Sequence, residues 1–136
     1  MKRKRPQGLA AFSEVSSDMR DLLGREAYDI RAAEAIDFFC YQVKKWIGAF
    51  SAALGGLNTI VFAGGIGENA PEVRKRICSG LEFLGLELDE SRNEANGPVI
   101  STDGSQATVR VIHTDEELMI ARAVFRILGN VDGTKL

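Results

Sequence analysis

61-VFAGGIGENAPE-72 joins an apolar run to a helix-forming one through a cluster of glycines, and the reading of that junction decides the fold. Upstream, 58-NTIVFA-63 is short, β-branched and bounded by glycines, which predicts a strand buried on both faces. Downstream, 70-APEVRKRICSGLEFL-84 places Val73, Ile77, Leu81 and Leu84 on one helical stripe. Asn69 is the expected side-chain cap of that helix, with Pro71 in its first turn and Glu72 completing a capping box. GGIGEN is therefore expected on a strand-to-helix turn. Absent Cβ atoms at Gly64, Gly65 and Gly67 let a backbone approach a ligand, and a helix N-terminus offers free N–H donors. The turn suits an anionic or sugar-phosphate ligand, or else it is a tight turn in which glycine relieves strain. Gly65, Gly67 and Ala70 also match the dinucleotide fingerprint G-x-G-x-x-A, with Glu87 or Asp89 as the ribose-binding acid. That match is weak, because the motif lies mid-chain behind a long helix and only one parallel crossover can be drawn.

The flanking segments extend the α/β reading. A short helix is expected over 16-SSDMRDLL-23, capped by Ser17, with Asp18 in its first turn and Gly24 as its breaker. From about Glu26 to Leu54 the apolar positions Ala32, Ile36, Phe39, Val43, Ile47, Phe50 and Leu54 step by three or four residues. Phe38, Tyr41 and Trp46 widen that face, and Gly55-Gly56 ends the helix. Beyond the glycine turn come 86-LEL-88, a polar segment 89-DESRNEANG-97, strands over 98-PVIST-102 and 108-TVRVIHT-114, and a final helix 115-DEELMIARAVFRIL-128 ending at Gly129. Residues 1–14 read as an irregular lead-in, 15–129 as one α/β domain, and 130–136 as a fraying tail.

Composition excludes several functions. The chain has 136 residues, 45% hydrophobic and 26% charged, enough for a core of its own. A net charge of -2 and a pI near 5.5 provide no basic field for nucleic acid, and 2-KRKR-5 reads as a solvated tail. No apolar run approaches the roughly 20 residues of a membrane span, and nothing resembles a signal peptide, so the expectation is a cytoplasmic protein. Cys40 and Cys78 sit in helical patterns without a C-x-x-C spacing and are expected to be buried free thiols. His113 is the single histidine, so no histidine-based metal cluster or triad can be assembled.

Two further stretches carry candidate chemistry. In 114-TDEEL-118, Thr114 and Glu117 form a capping box, which leaves Glu116 either as a dipole-stabilising surface acid or as a ligand for a hard cation. In 18-DMR-20, Arg20 is either solvated or available to stack on a base or fork onto a phosphate.

Taken together and in order, 16-SSDMRDL-22, 61-VFAGGIGEN-69 and 114-TDEELMIAR-122 resemble the C-terminal part of acetate kinase, supported by 43-VKKWIGAF-50 and 83-FLGLELDESRN-93. The resemblance covers about residues 8–128. It implies the C-terminal domain of the sugar kinase/Hsp70/actin (ribonuclease H-like) fold, a mixed sheet with flanking helices. It further implies magnesium-dependent phosphoryl transfer between ATP and acetate, giving ADP and acetyl phosphate. On this resemblance Gly64, Gly65, Ile66, Gly67, Glu68 and Asn69 hold the nucleotide, Asp18, Met19 and Arg20 lie along the adenosine, and Glu116 is the magnesium-linked carboxylate. The family's acetate-site arginines, its transition-state histidine and its first phosphate loop come from sequence upstream of these segments, so no catalytic residue is assigned here. Acetate becomes a partner only if the missing N-terminal half is supplied. The partners expected are a nucleotide, a complementing N-terminal domain, or a second copy of the chain; a dinucleotide-binding module is the remaining alternative. Departures from the family pattern are His113 at a usual proline, Ala63 at a common threonine and Asp115 at a common asparagine. Residues 1–14 follow the family only at Gly8 and Leu9, which suggests a truncated reading frame with a re-made start.

Overall fold

The computed structural model describes residues 19–131, apart from the side chains of Glu116 and of 129–131. Asp18 and the predicted cap Ser17 thus lie outside the described residues. Helix α1, Met19–Arg25, buries Met19 and Leu22. It runs through Gly24, because an Asp21–Arg25 ion pair at 3.1 Å bridges its last turn. The long helix α2 is Ile30–Leu54, four residues shorter at its start than expected. Asp29 caps it by accepting from the Arg31 and Ala32 amides, while Asp29 N and Tyr28 N bond back to Arg25 O in the intervening turn. Gly55 closes it in the left-handed region at φ 78°.

The sheet is a parallel pair, β1 (Thr59–Ala63) and β2 (Thr108–Ile112), with Ile60 beside Val109 and Phe62 beside Val111. Those four face the core. Val61 and Ile112 face outward at 49% and 46% exposure, so the expected two-sided burial of β1 is corrected: it alternates. A β-branched apolar run is compatible with either pattern, and only the neighbouring layers decide which holds. Antiparallel bridges Leu88–Ser101 and Val99–Arg110 extend the pair into a mixed arrangement. Residues 98–102 make these bridges without forming a full strand.

GGIGEN is itself a helix, α3 (Gly64–Asn69), followed at once by α4 (Pro71–Cys78). The predicted capping box is absent. Ala70 is the N-cap of α4, Asn69 Nδ2 donates back to Gly65 O at 3.1 Å, and Glu72 pairs with Arg76 Nε at 2.7 Å. The helix stops at Cys78, where Gly80 at φ 82° turns the chain, and 82–84 form a single 3-10 turn. The polar segment contains α5 (Glu90–Glu94), capped by Asp89. The last helix, α6 (Glu116–Val131), continues through Gly129. Asp115, whose carboxylate accepts from Leu118 N at 2.8 Å, does the capping that Thr114 was expected to do.

One core joins α1, α2, α4 and the two strands: Met19, Leu22, Ala32, Ala35, Ile36, Cys40, Val73, Ile77, Cys78, Leu86, Ile100 and the inward strand residues. Both cysteines are buried free thiols, as expected. Phe38, Tyr41 and Trp46 do not widen the core face of α2; they are 44%, 59% and 57% exposed, and Trp46 stacks on Phe50. Among the described residues no helix is long and apolar enough to cross a membrane.

Candidate functional site

Because the strands are parallel and in register from Thr59–Thr108 to Ala63–Ile112, their C-terminal ends lie side by side. Each end passes directly into a polar junction: Ala63 into Gly64 at the start of α3, and Ile112 into His113, Thr114 and Asp115 before α6. The crevice beyond the carboxyl ends of parallel strands is where open α/β sheets bind ligands. A cleft of about 520 Å³ occupies that position, lined by Gly64, Gly65, Glu68, His113, Thr114, Asp115 and Glu117.

Glu68 locks its two walls together. The carboxylate is 8% exposed and takes hydrogen bonds from Gly64 N (2.9 Å), Thr114 N (2.8 Å) and Thr114 Oγ1 (2.8 Å) on Oε1. His113 Nδ1 meets Oε2 at 2.7 Å. The Thr114 amide and hydroxyl contribute most to holding its pKa down at about 2, with His113 and Gly64 adding to them. Glu68 is therefore an anion that stitches the β1–α3 junction to the β2–α6 junction. Its side chain is part of the frame, and the backbone at Gly64 and Gly65 is the rest of GGIGEN that faces the cleft. A Cβ built on either glycine meets nothing within 4 Å, so the cleft is open above them. Gly67 faces the other way, where a Cβ would lie 3.2 Å from the Phe62 carbonyl carbon. That glycine serves the close packing of α3 on β1.

The other end of α3 is held by Arg74. This guanidinium is fully buried and donates to Gly67 O (2.8 Å), Glu68 O (3.0 Å), Asn93 Oδ1 (2.8 Å), Asn93 O (2.7 Å) and Asn96 Oδ1 (2.6 Å). All five of its N–H donors have a neutral oxygen acceptor. Burial pushes its pKa below the usual arginine value.

The predicted site residues separate accordingly. Gly64 and Gly65 line the cleft; Glu68 lines it as its clamp; Ile66 packs against the core; Gly67 packs on Phe62; and Asn69 turns back onto its own helix. Met19 is 2% exposed, its side chain packed into the core. Arg20 is exposed, and Asp18 lies outside the described residues. Glu116 begins α6, beside the cleft-lining Asp115 and Glu117, and its side chain is likewise outside the description. Among the described residues no group of three or more His, Cys, Asp or Glu could cage a metal ion. Magnesium does not need such a cage, since one or two carboxylates and substrate phosphates commonly hold it. Neither acid of the dinucleotide reading lines the cleft: Asp89 caps α5 through Arg92 N at 2.9 Å, and Glu87 accepts from Thr102 Oγ1 at 3.0 Å.

Two parallel strands ending on a glycine helix and a polar helix junction define a piece of an α/β ligand-binding domain with its site at the strand ends. The Acetokinase family model matches residues 2–122. Acetate kinases of Heliobacterium modesticaldum and Dictyoglomus thermophilum are 47% and 49% identical over 123 and 125 residues, covering 89% and 90% of this chain and 31% of each relative. The Porphyromonas gingivalis acetate kinase crystal structure superposes with a TM-score of 0.79 at 40% identity, over 90% of this chain and 32% of that one. A Francisella tularensis propionate kinase follows at 0.76 and 37%, over 85% and 30%. The chain belongs to the acetokinase family, and its fold is that of the C-terminal domain of the sugar kinase/Hsp70/actin class. It spans about a third of the length of the relatives it matches.

Proposed function

We propose that this chain provides the nucleotide side of an acetate kinase cleft, holding ATP or ADP against the Gly64–Gly65 backbone in the reversible transfer of phosphoryl between ATP and acetate. The observation that carries the reading is the cleft at the paired strand ends, whose floor is glycine backbone and whose walls are joined by Glu68. Arg20 serves the adenosine from α1. Magnesium, bound by the phosphates and linked to Glu116, would supply charge neutralisation when present; the chain's own part is to position the nucleotide. Such transfer also needs cations on the moving phosphoryl group and an acceptor held in line. The described walls of the cleft are acidic, with Glu68, Asp115 and Glu117 and no lysine or arginine. The 136-residue chain alone is therefore expected to bind nucleotide without turning over acetate, in the ATP-rich cytoplasm. Calorimetry with MgATP, alongside a coupled hydroxamate assay, tests both halves. Binding without acetyl phosphate supports the reading; turnover near the rate of a full-length relative, or NAD binding in preference to ATP, contradicts it.

A second reading, a complementing or dimerising module, is favoured by large exposed apolar side chains on two helices. On α2 these are Tyr41, Trp46, Phe50 and Leu54; on α6, Met119, Ile120, Phe125 and Leu128, 61–80% exposed apart from Tyr41 and Trp46 at 59% and 57%, and Phe50 at 60%. Single apolar surface residues are ordinary, but this many large ones on two helices mark a contact surface. Sedimentation of the chain alone and mixed with the N-terminal two-thirds of an acetate kinase discriminates these outcomes. A hetero-complex with restored activity supports complementation, and a homodimer supports self-association. A monomer in both samples refutes this reading.

A further inference from the structure

We infer that Arg74 is a positioning residue for the nucleotide site, and that through it residues 93–97, the end of α5 and the turn after it, control how firmly the Gly64–Asn69 backbone is held. The inference rests on the reading of Gly64 and Gly65 as the nucleotide floor.

Helix α3 cannot hold itself. It has six residues, of which Gly64, Gly65 and Gly67 are poor helix formers, and it is too short to gain from cooperative propagation. Its carbonyls at Gly67 and Glu68 belong to the last turn, where intrahelical donors run out. Arg74 Nη1 fills both, at 2.8 and 3.0 Å. A guanidinium at the C-terminal end of a helix also complements the dipole, as the Glu68 carboxylate on Gly64 N does at the other end. The remaining three donors go to one remote segment, Asn93 Oδ1, Asn93 O and Asn96 Oδ1.

That segment is built to present these oxygens. Asn93 is 1% exposed and its Nδ2 donates to Pro71 O at 2.9 Å, so the amide is oriented with its oxygen toward Arg74. Asn96 adopts φ 51°, the left-handed region that asparagine tolerates, and Gly97 N closes the turn on Arg92 O at 2.9 Å. A lysine at position 74 would keep the charge but lacks the planar five-donor fork. Asn96 is itself exposed and lies outside the hydrophobic core, which makes it a clean handle on the same network.

The test uses the whole chain and three variants, Arg74→Lys, Asn96→Gly and Asn96→Asp. Glycine keeps the left-handed backbone and removes the acceptor; aspartate restores an acceptor. Amide hydrogen exchange over 64–69 is compared with exchange in α2, and MgATP affinity is measured on the folded protein. Arg74→Lys is expected to speed exchange at 64–69 by about tenfold or more and to weaken MgATP binding by a similar factor, the scale of one or two lost hydrogen bonds to a charged donor. Asn96→Gly should give a smaller change with the same regional pattern, and Asn96→Asp should return both readouts to the wild-type range. Faster exchange spread equally over α2, or unchanged exchange at 64–69 in folded Asn96→Gly, would overturn the inference. Should the wild-type chain fail to bind MgATP, the nucleotide reading falls and the exchange pattern alone still decides the role of Arg74.

Discussion

Gly65→Ala separates what the glycine does for the fold from what it does for a ligand. Gly65 lies in α3 with no positive φ, and a Cβ there meets no atom within 4 Å. The fold therefore has no steric reason to require glycine. Replacing helical glycine by alanine stabilises by about 0.5–1 kcal/mol, nearer the lower figure in a first turn, by reducing the freedom of the unfolded chain. For a domain of this size that raises the melting temperature by about 2–4 °C. The added methyl nevertheless projects from the floor of the proposed nucleotide cleft, where close backbone approach is the reason for an absent side chain. Nucleotide affinity should therefore fall, by about tenfold for a displaced phosphate or ribose contact of ordinary strength. Thermal melts without ligand and calorimetry with MgATP read the two effects separately. A variant that is more stable and binds MgATP as tightly as the wild type would refute the claim that this open space belongs to the ligand. Gly67→Ala is the contrasting substitution: its Cβ falls 3.2 Å from the Phe62 carbonyl carbon, so it should lower stability.

Further outcomes follow from other parts of the structure. Glu68 has its pKa lowered from 4.5 to about 2, so its contribution is fully present above about pH 4.5 and fades as pH falls toward 2; Glu68→Gln should remove that part of the acid dependence in urea titrations at stepped pH. Cys78 is 2% exposed with its thiol pushed up to about 12 by burial, and Cys40 is also raised by burial, so neither should react with iodoacetamide at neutral pH until denaturant is added; prompt labelling of native protein contradicts this. Arg76 forks onto Glu26 at 2.5 and 2.9 Å, joining α4 to the α1–α2 turn, and this hydrogen bonding lowers the Glu26 pKa. With both side chains about a quarter exposed, Glu26→Gln should cost about 0.5–1.5 kcal/mol in chemical denaturation.

The α/β order, the strand before the glycines, the long helix with its Gly55 stop and the buried thiols were all legible from period and punctuation. What escaped was every feature made by contacts distant in sequence. Glu68 reads as one residue of a nucleotide motif, yet its carboxylate bonds His113 and Thr114 across 45 and 46 residues. Arg74 sits between Val73 and Lys75 in a charged stretch that looks solvated, while three of its five acceptors lie 19 and 22 residues on. Local signals also competed: Asn69 and Thr114 are good caps by type, but Ala70 and Asp115 hold those positions because both polar side chains have other partners. The outward face of β1 depends on which layer covers it, and residue type carries no record of that.

On the proposed function the strand-end cleft, and no other surface of this chain, takes the nucleotide. Titrating isotope-labelled protein with MgATP and following the backbone amide resonances tests it residue by residue. Saturable shifts are expected at Gly64, Gly65, Ile66, His113 and Thr114, with residues 82–88, which line a separate pocket, unmoved. Shifts concentrated at residues 82–88 with Gly64 and Gly65 silent would contradict the nucleotide assignment.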